Sequence, residues 1–185
     1  AGEPLKAANQ AIQSLWLAFF LGLGIAIIGS LTSDPLLRAL GATGELLDQA
    51  RIYLEISMLG APAMLIMLAG VGYLRGIKDT VRPLWVAVGT ALLNLCLELI
   101  LIYGFGKNIG ASAASTVISQ WVGAATYLYW IWQSIGGLKI SLLPKLLALR
   151  RLLKDSSELL IRNLSLTTSF VVATSMAARL GNVDV

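Results

Sequence analysis

The sequence predicts an all-α membrane protein, a polytopic helical bundle of about five transmembrane helices. Hydrophobic residues make up 57% of the chain and charged residues 13%, against roughly 45–50% and about 25% in soluble domains. Mean hydropathy is +0.78. Apolar runs of bilayer-crossing length alternate with short basic stretches. The excess of 14 Lys+Arg over 10 Asp+Glu therefore reads as loop charge at a membrane, and no nucleic-acid partner is expected. A single cysteine, Cys96, and the absence of histidine exclude an intrachain disulfide, a His-containing metal site and the Ser/His or Cys/His catalytic pairs. No enzymatic activity, cofactor or metal centre is expected.

The opening residues, AGEPLKAANQ, lack an initiator methionine and the grammar of a signal peptide, as an excised segment would. The first span is expected over residues 11–31, a charge-free run long enough at 1.5 Å per residue to cross a core of roughly 30 Å. It stops at Thr32-Ser33-Asp34-Pro35, which can cap a short amphipathic helix, LLRAL, with GATGELLDQAR following as a loop. The second span is expected over 53–74, with Gly60, Pro62, Gly70 and Gly72 inside it and Glu55 at its watery mouth. The turn Arg75-Gly76-Ile77-Lys78-Asp79-Thr80-Val81-Arg82 leads into a third span, 83–103, which Pro83 opens.

A tight, glycine-rich GFGKNIG connection then gives a fourth span over 110–135. Its first half, rich in Ala, Ser and Gly, is a packing face; its second half, with Tyr127, Tyr129, Trp130 and Trp132, is an interfacial aromatic belt. Residues 136–157 form an amphipathic linker, Leu142, Leu146, Leu149 and Leu153 alternating with Lys145, Arg150, Arg151 and Lys154. A fifth span follows over 158–185. Alternation places Lys6, the Arg75/Lys78/Arg82 turn and the 139–154 linker on one side and Arg38, Arg51 and Lys107 on the other, which makes the first set cytoplasmic.

Function is written in the third span, where Asn94 and Glu98 interrupt an otherwise apolar run. A carboxylate at membrane depth is costly and marks ion or proton traffic. Four residues apart, the two share one helix face, about 6 Å apart along its axis. The hairpin formed with the fourth span brings Ser112, Ser115, Thr116 and Ser119 to similar depth, with Thr116 expected opposite Glu98. Carboxylate, amide and hydroxyl oxygens suit a hard cation such as Na⁺ or a proton held on a desolvated carboxyl. The competing reading is that these residues only hydrogen-bond neighbouring helices together. Gln120, Arg162 and Asn163 read first as packing or interfacial residues and second as lining of a substrate cavity.

The stretches YLRGIKDTVRPLWVAV and NLCLELILIYGFGKNIGASAASTVISQW, with AGEPLKAANQAI, LGATGELLDQARIYLEISMLGAPAMLI and VVATSMAARLG, resemble the multidrug and toxic compound extrusion (MATE) transporters, in particular their DinF-like branch. The resemblance covers essentially the whole chain. It implies spans three to seven of a twelve-helix, two-lobe transporter, with residues 1–135 in the N-terminal lobe, 136–157 as the inter-lobe linker and 158–185 as the first helix of the second lobe. It further implies an ion- or proton-coupling network at Asn94, Glu98 and Thr116, with Glu98 where archaeal members carry Asp and with the family's first-span Asp absent. The implied function is secondary active efflux of cationic or amphipathic compounds by antiport with H⁺ or Na⁺. The expected setting is a monomeric parent in the plasma membrane, of the bacterial inner-membrane type, with lipid and the remaining helices as partners. A lipid-linked precursor flippase of the same superfamily and a non-transporting membrane enzyme or assembly subunit are the competing readings.

Overall fold

A computed structural model describes residues 2–104, 109–136, 142–154, 156, 157, 165, 167 and 168. Among the described residues all regular structure is helical. The chain divides into two compact units, Ala1–Leu143 and Pro144–Val185. The first contains α1 (Gly2–Leu31), α2 (Ser33–Ala39), α3 (Gly44–Met58), α4 (Ala61–Gly76), α5 (Val81–Leu99) with a π-helical turn at Ile100–Gly104, and α6 (Ile109–Ile135). In the second, residues 146–154 are helical, with Arg150, Arg151 and Lys154 exposed. The fifth expected span lies almost wholly outside the described residues.

The charge-free run of α1 lets it continue until hydroxyls take its last carbonyls. Thr32 Oγ1 donates to Ile28 O at 2.7 Å and Ser33 Oγ to Ser30 O at 2.9 Å. The short α2 carries Asp34 in its first turn and Arg38 in its last, which complements the helix dipole, and the two pair at 2.8 Å. The Arg38 guanidinium holds the Asp34 carboxyl below its usual range. The pair therefore persists at neutral pH and is lost as pH falls through that lowered value. α2 closes in a left-handed glycine, Gly41 at φ 91°, with Ala42 N–H donating to Leu37 O and Gly41 N–H to Arg38 O.

Two expectations change here. GATGELLDQAR is not a loop: α3 begins at Gly44, after an extended Thr43 and with Glu45 in its first turn, where a carboxylate favours the helix N-terminus. The expected span over 53–74 is not one helix. α3 and α4 meet at Leu59–Gly60 with a 44° bend, because Pro62 has no N–H for the carbonyl four residues back and its ring crowds that turn. By length and composition, Leu5–Leu31 and Val81–Ile102 can each cross a membrane, and the bent pair makes a third span if it is one. The 27-residue α6 is long enough to cross, but its serines, threonines and Gln120 make it less apolar.

α6 positions the others, packing against α3, α4 and α5. Its buried residues include every fourth position from end to end: Ala111, Ser115, Ser119, Gly123, Tyr127, Ile131 and Ile135. That is a single i±4 ridge, small at the start and large at the end. Small residues let backbones close in, whereas Tyr127, Ile131 and Ile135 fill the wider end with Ala8, Ile12, Leu74 and Val86. Tyr127 is thus core, 1% exposed, and not part of the expected belt. Tyr129 and Trp132 are exposed, and Trp130 takes the Arg82 guanidinium over its ring at 5.7 Å. The α4–α5 turn beneath it is tied by Asp79, whose Oδ1 accepts from the Val81 and Arg82 N–H groups, both at 3.1 Å. In that turn Lys78 adopts φ 65°, at the position where α4 closes with Asp79 N–H on Leu74 O and Lys78 N–H on Arg75 O.

The start of the expected linker departs from an amphipathic helix. Leu142 and Leu143 lie against α1, their carbonyls accepting from Trp16 Nε1 at 2.8 Å and Gln13 Nε2 at 3.0 Å; helix resumes at residue 146.

Two outcomes follow. A Cβ at Gly70 would stand 2.6 Å from the Tyr127 ring, so Gly70→Val overpacks the α4–α6 contact and costs about 1–3 kcal/mol, read as a lowered Tm in detergent. Lys78→Gly relieves the left-handed backbone and raises stability by about 0.5–1 kcal/mol in the same measurement.

Candidate functional site

Asn94 and Glu98 lie on the face of α5 that meets α6, both half-buried. The hairpin between α5 and α6 sets their register. Ser112 Oγ donates to Glu98 Oε1 at 2.7 Å, and Asn94 Nδ2 donates to Thr116 Oγ1 at 3.1 Å and Ser115 Oγ at 3.4 Å. The sequence reasoning placed Thr116 opposite Glu98. The structure instead gives Thr116 to Asn94 and Ser112 to Glu98, one helical turn nearer the connection. Both pairs, 94 with 116 and 98 with 112, are centred on position 105. The midpoint of the GFGKNIG connection is position 107, which would pair 98 with 116; the observed centre lies two residues earlier, and that offset is what gives Glu98 to Ser112.

The hydroxyls are in turn held by α6 itself. Ser115 Oγ and Thr116 Oγ1 donate to Ser112 O, at 2.8 and 3.1 Å, and Ser119 Oγ donates to Ser115 O at 2.8 Å. Each hydroxyl has one proton, so once Ser115 and Thr116 give theirs to the backbone, their oxygens are acceptors toward Asn94. The Asn94 amide is thereby oriented, and Ser112 keeps its proton for Glu98. This is a preorganised cradle of oxygens around one carboxylate.

The ion pairs present among the described residues are Arg38–Asp34, Arg51–Glu55 and Arg82–Asp79. None involves Glu98, whose hydrogen bond among the described residues comes from the Ser112 hydroxyl. The remaining donor set is oxygen only, which can take a proton or a hard cation and offers nothing to a soft metal. Among the described residues no cluster of three His, Cys, Asp or Glu forms a metal centre.

Other sequence candidates fall elsewhere. Gln120 is two turns further along α6, its Oε1 buried against Gly60 and without a hydrogen-bond partner. Glu55 pairs with Arg51 at 2.8 Å with its side chain 43% exposed, so it reaches water. Arg162 and Asn163 lie outside the described residues. A cavity of about 530 Å³, lined by Ile12, Trp16, Phe19, Ile66, Leu128 and Ile131 among others, is apolar and built from other residues than the Glu98 cradle.

Known proteins resemble the chain as a whole. The family model MatE matches residues 1–100. Over 180 residues the chain is 36% identical to "Protein DETOXIFICATION 45, chloroplastic" of Arabidopsis thaliana, covering 95% of this chain and 31% of that protein. It is 32% identical over 195 residues to "DNA damage-inducible protein F" of Escherichia coli strain K12, covering 98% of this chain and 40% of the relative. A solved structure, the inward-facing conformation of a multidrug resistance MATE family transporter of the MOP superfamily, superposes with a TM-score of 0.66 at 33% identity, over 69% of this chain and 29% of that one. The chain thus spans about a third of the length of such relatives. A helical membrane bundle that superposes over 69% of its length on a transporter of that family, and whose first hundred residues match its model, belongs to the MatE family.

Proposed function

We propose that the chain forms the ion-coupling half-site of a secondary active multidrug efflux transporter, which exports cationic or amphipathic compounds by antiport with H⁺ or Na⁺. The observation that carries this reading is the carboxylate of Glu98, cradled by Ser112 with Asn94 and Thr116 alongside. A hydrocarbon-depth carboxylate with a hydroxyl partner and no ion pair among the described residues is an acceptor suited to a positive ion. The family membership supports transport as the activity, and a Thermotoga maritima relative, 31% identical over 72% of this chain, carries the name "Probable multidrug resistance protein NorM".

Mechanistically, a proton or Na⁺ arriving at Glu98 neutralises its charge and draws on the same lone pairs that Ser112 now occupies. That alters how α5 lies on α6, and with it the electrostatic hold of this lobe on a cationic substrate. Binding of the ion and of the substrate are then linked, each weakening the other, which is what antiport requires. The loop charges support an orientation with the Arg75–Arg82 turn cytoplasmic and the α5–α6 connection external. A plasma membrane of the bacterial inner-membrane type is the setting we assign.

Replacing Glu98 by Gln in the full-length transporter abolishes ion-gradient-driven efflux of an ethidium-like cation from vesicles while leaving expression normal; retained efflux overturns the reading. Ser112→Ala lowers the half-saturating concentration of the driving ion about tenfold, because the hydrogen bond it removes stabilises the ion-free carboxylate and competes with the ion for its lone pair. Thr116→Ala, acting through Asn94, shifts it less, and the same vesicle assay ranks the two.

A further inference from the structure

We propose that the apolar cavity between α1 and α6 is a binding site for one acyl chain of an anionic phospholipid. It is built from other residues than the Glu98 cradle and rests on the membrane setting alone, not on the transport role assigned above.

The cavity has room for such a chain. Its volume of about 530 Å³ falls within the roughly 300–1,000 Å³ of small-molecule sites. α1 and α6 run antiparallel, Ile12 clustering with Ile131 and Ile135 and Ala18 with Ala124, and α4, packed against both, contributes Ile66. The walls from Ile12 to Phe19 and from Ile135 back to Leu128 therefore share one depth, each about 10 Å of helix rise. Together they make a slot parallel to the helices. Its walls are hydrocarbon and aromatic ring, and the Trp16 indole N–H is spent on Leu142 O at 2.8 Å. Such a surface holds neither water nor an ion and suits a hydrocarbon chain.

The surroundings name the occupant. Leu128 and Trp132 line the slot and are exposed, so it opens sideways and is continuous with the lipid-facing surface of the bundle. One end lies at headgroup depth. Leu142 and Leu143 cross α1 there, both exposed and non-helical, and non-helical backbone exposed in this way does not occur within the hydrocarbon region. Exposed Tyr129 and Trp132 mark the same level. A slot that starts at the headgroups, runs about 10 Å inward and opens to the side takes the upper part of one acyl chain while its headgroup stays in water. Charge then selects the headgroup. Lys6, exposed, stands about 9 Å of rise outward from Ile12 along α1. Exposed Arg75 and Lys78 belong to the α4–α5 turn, which the Arg82–Trp130 contact places at the same end of α6. Cations grouped at one end of a membrane bundle attract anionic lipid.

The test is photolabelling of the full transporter in vesicles with a phosphatidylglycerol probe that carries a diazirine on one acyl chain, mapped by mass spectrometry, with the phosphatidylcholine analogue for comparison. Residues 12–19 and 128–135 take up the phosphatidylglycerol label severalfold more than residues 84–99 of α5, whose exposed side chains sample bulk lipid. They also take it up severalfold more than the phosphatidylcholine label. Leu128→Trp, which fills the slot, removes the excess over α5. Should that variant not fold, Lys6→Gln decides, because loss of an exposed cation leaves packing intact and brings the two probes toward equal labelling. Labelling no stronger than on α5 overturns the proposal; it is the result expected if bulk lipid only brushes the groove or if another helix of the transporter covers it. Equal labelling by the two probes in the native protein, or an unchanged pattern in either variant once folded, overturns it equally.

Discussion

The constraint on which the rest depends is the i±4 ridge of α6. With residues as small as alanine, serine and glycine at its first four ridge positions and tyrosine and isoleucine at the last three, the helix acts as a wedge. Neighbours come within backbone distance at one end and are held apart by a filled core at the other. Close approach at the narrow end is what brings α5 near enough for Ser112 and Glu98 to meet at 2.7 Å, and α3 near enough for Gly60 to touch Gln120. A large residue in that half of the ridge would displace both contacts together.

The polar chemistry uses the same helix economically. Every serine and threonine at its start bonds either its own backbone or the facing helix, so the hydrocarbon-depth hydroxyls leave no orphan protons. Among the described residues, the buried side-chain oxygen left without a partner is Gln120 Oε1. Unbalanced acceptors in a membrane interior are costly unless a donor or a positive ion meets them.

Much of this was legible in the sequence. Long apolar runs pointed to α1 and α5, the Asn94–Glu98 spacing to the site's α5 face, and small residues to the packing half of α6. What was not legible depended on register and on bending. Ser112 and Thr116 are both hydroxyl residues one turn apart, and only the centre of the hairpin decides which meets Glu98. Pro62 was visible, but tolerance of proline in membrane helices made a continuous span as reasonable as a broken one until the 44° bend was seen. Tyr127 sits among belt aromatics in sequence, and only its place on the ridge makes it core.

Lys78 carries a consequence of another kind. Its left-handed backbone, φ 65°, is a conformation that costs a side-chain-bearing residue roughly 1–2 kcal/mol and glycine almost nothing. In exchange the turn gains a fixed elementary charge at the end of a hairpin. Carrying that charge across an energised bilayer involves about 2.3 kcal/mol per 100 mV, comparable to or larger than the strain. The α4–α5 turn thus keeps a fixed charge at Lys78 at a conformational cost that a glycine would not bear.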